Sequence, residues 1–99
     1  SQPQNDEYRT LVGKLDKAIR GVGGDIEPYP TTQYIGYKIK GSYIASIHPR
    51  KTACPYVDIL GKEGWESLLL ENKNDIEKIL NLVNKAYRLK KGVADTDKV

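Results

Sequence analysis

The chain has 99 residues, 38% of them hydrophobic and 29% charged, with a net charge of +3. That balance and length give one globular domain with a modest core, and exclude a disordered chain or a multidomain assembly. No run of about 18 apolar residues offers a membrane span. The start, Ser1-Gln2-Pro3-Gln4-Asn5-Asp6, lacks the basic and apolar regions of a secretory signal. A single cysteine, Cys54, leaves no intramolecular disulfide and points to a reducing, cytoplasmic setting. With no methionine in the sequence, the simplest expectation is a processed chain or a piece of a longer protein.

The first element is a helix. Tyr8, Leu11, Val12, Leu15, Ala18, Ile19 and Val22 follow the i, i+3, i+4 spacing of one apolar stripe. Asn5 is the expected N-cap, with Asp6 and Glu7 at the positive end of the dipole. Gly21, Gly23 and Gly24 are expected to end the helix by accepting a left-handed backbone. Gly13 in its middle costs about 1 kcal/mol against alanine, which a close neighbouring element explains. The following Asp25-Ile26-Glu27-Pro28-Tyr29-Pro30 has two residues without a donor, so it reads as an extended lead-in or an edge strand at best.

Three strands follow, over 34–40, 43–48 and 55–60, with Gly41-Ser42 as a two-residue hairpin turn. Two registers compete. A strict turn pairs Ile39 with Ile44; a one-residue bulge puts Tyr37 and Ile39 on one face with Ala45 and Ile47. Residues 63–70, carrying Trp65, Leu68 and Leu69, read as a short helix. Asn74 and Glu77 form a capping box for a last helix striped by Ile76, Ile79, Leu80, Val83, Ala86 and Tyr87, with Gly92 as its stop. The expected fold is α+β: a two-layer sandwich with an N-terminal helix, a three-stranded antiparallel meander, a short helix and a long C-terminal helix packed on one sheet face. The domain spans 5–92, with disordered ends over 1–4 and 93–99.

Function points to the meander. From Pro28 to Val57 there is no Asp or Glu, while Lys38, Lys40, Arg50 and Lys51 fall among Tyr29, Tyr34, Tyr37, Tyr43 and Tyr56. Tyrosine rings stack on bases and cations neutralise phosphates. The same composition also suits any exposed strands, because tyrosine favours sheets and lysine guards edges. The candidate nucleic-acid-binding residues are Tyr34, Lys38, Lys40, Tyr43, His48, Arg50 and Lys51. They would lie on a sheet face free of acids and on the 48–51 turn, with DNA ahead of RNA as partner. The alternative is a protein-interaction or dimerisation module acting through strand edges or the Trp65 segment. No cofactor is implied. One histidine and one cysteine fall short of the four ligands a structural zinc needs, and Cys54 with His48 has no third group to orient it. Asp58 with Glu71-Asn72-Lys73 matches the text pattern of a metal-dependent nuclease. The second part falls in a polar break ahead of a helix, so a nuclease remnant ranks third, and the domain is read as non-enzymatic.

The stretches Tyr34-Ile35-Gly36-Tyr37-Lys38, Ala45-Ser46-Ile47-His48-Pro49-Arg50-Lys51, and Asp75-Ile76 through Val83-Asn84-Lys85-Ala86-Tyr87 resemble a small uncharacterised prokaryotic domain loosely labelled a predicted transport protein. That family reads as a YIAFK-like strand, an I-x-P-x-K turn and a last helix ending in I-x-x-A-Y. The resemblance covers most of the chain from Tyr34 to Tyr87. Such domains occur alone or appended to nuclease, methylase and restriction-like proteins, which implies an accessory nucleic-acid or partner-binding role. The family supplies no catalytic residues.

Overall fold

The structure, a computed structural model, describes residues 2–92, and the side chains from Asp6 onward. The expected tail over 93–99 and Ser1 of the expected disordered start lie outside the described residues. The helical stripes do what their spacing dictates. Helix α1 (Gln2–Arg20) buries Leu11, Leu15 and Ile19. It begins ahead of Asn5, which therefore lies inside the helix, so the expected cap position is displaced. Helix α2 (Asn74–Lys91) buries Ile79, Val83 and Ala86 and stops at Gly92, whose positive φ of 76° lets its N–H return to Arg88 and Leu89. Its start differs from the Asn74–Glu77 box. The side chain of Asn72 accepts the Asn74 N–H at 2.9 Å, and Asp75 reaches back to the Asn72 and Glu71 N–H groups. The reciprocal cap is thus Asn72 with Asp75, the same three-residue spacing set two residues earlier.

Between the helices lies a five-stranded antiparallel sheet, ordered as in the chain: β1 (Glu27–Pro30), β2 (Ile35–Ile39), β3 (Ser42–His48), β4 (Tyr56–Gly61) and β5 (Gly64–Leu69). This overturns the three-stranded meander with a short third helix. Residues 64–69 are a strand because Lys62-Glu63 make a tight turn and bring Gly64 opposite Gly61. Pairing then satisfies the backbone of β4, which the expected helix over 63–70, too short to be stable alone, would leave open. The prolines of β1 do not prevent pairing with β2, since Pro28 and Pro30 sit two apart and both missing donors face the outer side of an edge strand.

The β2–β3 turn is Lys40-Gly41, one residue earlier than Gly41-Ser42. Both residues have positive φ (51° and 81°), the backbone of a type I′ hairpin. The bulge register is the one adopted: Ile39 faces Ser42, Lys38 faces Tyr43, Tyr37 faces Ala45, and Ile44 is the extra residue. The bulge turns both Ile44 and Ala45 into the core. That core, with Tyr37, Ile39, Ile47, Val57 and Ile59 from the sheet, is shared with α1 and α2. Both helices therefore cover the same face, and the other face is open.

Two polar ties hold the helices, one to this sheet and one to the loop after α1. The buried Tyr37 hydroxyl donates to Asp16 of α1 at 2.7 Å, and Arg20 holds the other oxygen of Asp16 at 3.0 Å. Tyr87 and Lys91 of α2 both donate to Asp25, in the loop after α1. Gly23 is needed for the second tie. A methyl group there would strike the Tyr87 ring. None of Gly21, Gly23 and Gly24 has a left-handed backbone, so their expected role as left-handed stops is not the one they play. Nor does any neighbour crowd Gly13, where an added methyl meets nothing within 4 Å.

Candidate functional site

Strand alternation decides which side chains reach the open face. Tyr29, Gly36, Ser46, Asp58 and Ser67 form one row across all five strands, and His48, Tyr56 and Leu69 form another. Lys38 and Tyr43 face each other beside the bulge. Tyr34 enters from the turn before β2, where the Thr31 hydroxyl accepts the Gln33 and Tyr34 N–H groups. Trp65 stands opposite Leu60 at the far edge.

The rings make one continuous series. Tyr56 stacks on His48 at 4.5 Å with an interplanar angle of 1°. His48 meets Tyr34 at 5.3 Å, Tyr34 meets Tyr43 edge-on at 6.2 Å, and Tyr43 meets Tyr29 edge-on at 6.2 Å. A cation caps each end. Arg50 lies 5.3 Å from the Tyr56 ring, and the Lys38 ammonium lies 3.9 Å from Tyr29 and 4.8 Å from Tyr43. Such contacts contribute about 0.5–1 kcal/mol each at exposed sites. The Tyr34 hydroxyl, 3.1 Å from that of Tyr43, pushes the Tyr43 phenol up to about 12, so it is neutral at physiological pH.

Beside this series a shallow depression of about 280 Å³ is lined by Tyr34, Tyr43, Ser46, His48, Asp58 and Trp65. Ser46 and His48 share a hydrogen bond of 2.8 Å, Asp58 comes within 3.5 Å of the same His48 nitrogen, and Ser67 donates to Asp58. A serine, a histidine and an aspartate in a row invite a nucleophilic reading. The geometry opposes it. In a working triad the acid holds one ring nitrogen and the serine the other; here Ser46 and Asp58 both meet Nε2. The set holds the ring in place for stacking. Among the described residues no group of three His, Cys, Asp or Glu side chains could hold a metal ion.

Of the seven expected binding residues, the structure brings Tyr34, Lys38, Tyr43 and His48 together on the open face, with Arg50 against Tyr56. The Arg50 Nε is engaged, donating to the Cys54 carbonyl at 2.8 Å. Lys40 lies exposed in the hairpin turn and Lys51 exposed in the loop after β3. Tyr37, grouped by composition with the other tyrosines, points into the core. The face is not free of acids: Asp58 lies near its centre and Glu27 pairs with Lys38 at one edge. The expected binding set leaves out Ser46 and Asp58, and also Tyr29, Tyr56 and Trp65, which the sequence places only in the tyrosine-rich meander or in an alternative contact. Parity from the bulge register finds Ser46, Tyr56 and Asp58, pairing with Gly36 finds Tyr29, and Trp65 is found only once 64–69 is a strand.

Of the residues that carry the resemblance, Tyr37, Ile47, Val83 and Ala86 are buried in the core, while Tyr34, Lys38, His48 and Arg50 belong to the ring series on the open face and its flanking cations. No protein-family model matches the chain, and comparisons with curated proteins and with solved structures return no significant similarity. No helix among the described residues is long and apolar enough to cross a membrane.

Proposed function

We propose that this is a non-enzymatic accessory domain that binds single-stranded nucleic acid on the open face of its sheet. The observation that carries the reading is the series of rings from Tyr29 to Tyr56 with Lys38 and Arg50 at its ends. A sheet covered by helices on one side and bearing aromatic rings on the other suits unpaired bases, whose flat faces stack on the rings while cations meet phosphates. Duplex DNA is read instead by a helix or ribbon entering a groove, and this face presents neither. The shallow depression under Trp65 has room for one base. Tyr29 and Trp65, 49% and 52% exposed, are the rings with the most surface left for stacking.

The test uses the chain's single tryptophan, which lies at the site. Short single-stranded DNA and RNA oligonucleotides should quench Trp65 fluorescence, with the duplex form binding more weakly. If Lys38, Lys40, Arg50 and Lys51 each meet a phosphate, log affinity should fall against log salt with a slope of about −3. Tyr29→Ala should cost about 1–3 kcal/mol of binding free energy. No binding to either single strand at low salt would exclude the reading.

A further inference from the structure

The two edges of the sheet are built differently. β1 carries Pro28 and Pro30 on its outer side. β5 carries no proline, and its pairing with β4 is regular, with no bulge. Exposed edges are normally guarded by proline, bulges or inward-pointing charges. The single charge of β5, Glu66, lies on the helix-covered face with its carboxylate back over Gly61, toward β4 and away from the free edge.

Backbone direction along β5 follows from the turn. Gly61 and Gly64 close a two-residue turn and so form a hydrogen-bonded pair. Alternation then turns Glu66 and Leu68 toward β4, and the Leu70 N–H bond to Pro55 at 2.8 Å keeps the same phase. Trp65, Ser67 and Leu69 accordingly aim their N–H and C=O groups outward. Among the described residues no strand pairs with that side. On the same three residues the side chains lie on the open face, and Trp65 and Leu69, 52% and 48% exposed, are two of the largest exposed apolar groups.

These positions are symmetric about Ser67. We infer that β5 pairs antiparallel with β5 of a second copy, on a two-fold axis at Ser67. Ser67 then faces its own counterpart, and Trp65 of each copy faces Leu69 of the other. Every outward N–H from Trp65 to Leu69 gains an acceptor, and the paired Trp and Leu cover each other on one face, the kind of apolar cross-strand pair that stabilises sheets. An exposed apolar side chain at equal distance on each side of Ser67 makes the edge match itself, as a two-fold interface requires, and this favours a second copy over an unrelated strand. The two open faces become one continuous surface. An interface of one short strand pair lies at the small end of the size range, so association is weak and reversible.

Sedimentation of the full chain from micromolar to millimolar concentration tests this, with no oligonucleotide present. The mass should rise from 11.1 kDa toward twice that value. Trp65→Lys and Leu69→Glu, both at exposed sites, should each weaken self-association by about tenfold or more. Mixed in equal amounts, the two variants should form a heterodimer, because the register sets the new lysine against the new glutamate. A monomeric mass throughout the range overturns the inference. So does a dimer that both variants leave unchanged, or a mixture no tighter than its parts.

Discussion

The ring of Tyr43 lies directly across the backbone of Gly36. A methyl group at position 36 would overlap the ring, and β3 keeps Tyr43 there because Lys38 and Tyr34 engage it from two sides. Gly36→Ala should therefore expel Tyr43 from the series without deleting an aromatic residue. The expected outcome is a loss of oligonucleotide affinity of about 1–3 kcal/mol, one stacked base, in a protein whose circular dichroism is unchanged.

Two glycines in the N-terminal third should respond oppositely to alanine. At Gly13, exposed and uncrowded in mid-helix, alanine should stabilise by about 0.5–1 kcal/mol. At Gly23, alanine would displace Tyr87 and loosen its bond to Asp25, costing about 1–3 kcal/mol. Urea unfolding of both variants measures the contrast.

Tyr37→Phe should cost about 1.5 kcal/mol. The change removes a hydrogen bond to a charged acceptor while leaving the buried ring in place. Burial, and then the Asp16 hydrogen bond, push the Tyr37 phenol far above its ordinary value, so the hydroxyl is protonated and donating at neutral pH. Unfolding midpoints in urea with an unchanged m-value check this.

Acid should loosen the C-terminal helix through Asp25. Lys91, and then the Tyr87 hydroxyl, hold its carboxyl at about 2 against an ordinary value of 3.8. A lowered folded-state value means that the ionised form is favoured by folding, so the contribution is complete above 3.8 and is lost as pH falls from there toward 2. Asp25→Asn should destabilise the protein at neutral pH and flatten the acid limb of its stability profile. A variant whose acid limb matches the parent's would assign that limb to other carboxylates.

The helices were legible because a single apolar stripe has one solution: Leu11, Leu15 and Ile19, or Ile79, Val83 and Ala86, are buried by their spacing alone. β5 was not. Trp65, Leu68 and Leu69 fit one side of a helix as well as they fit a strand, and an edge strand with one apolar side chain turned inward carries no full alternation. What separates the two readings is the need of β4 for a partner, a tertiary fact. The site was half legible for a related reason. Tyr34, Lys38, Tyr43 and His48 share the open face, as composition suggested. Ser46, Tyr56 and Asp58 join them only once Ile44 is known to be the bulged residue, since a shift of one would invert the parity of β3.

The prolines of β1 bear on more than the strand they occupy. A sheet able to add strands at both borders can recruit copies end to end without limit, the arrangement that grows fibres. This one is shut at Pro28 and Pro30, so any recruitment through Trp65, Ser67 and Leu69 is complete when a single mate has docked, and crowding at high concentration yields closed pairs rather than filaments.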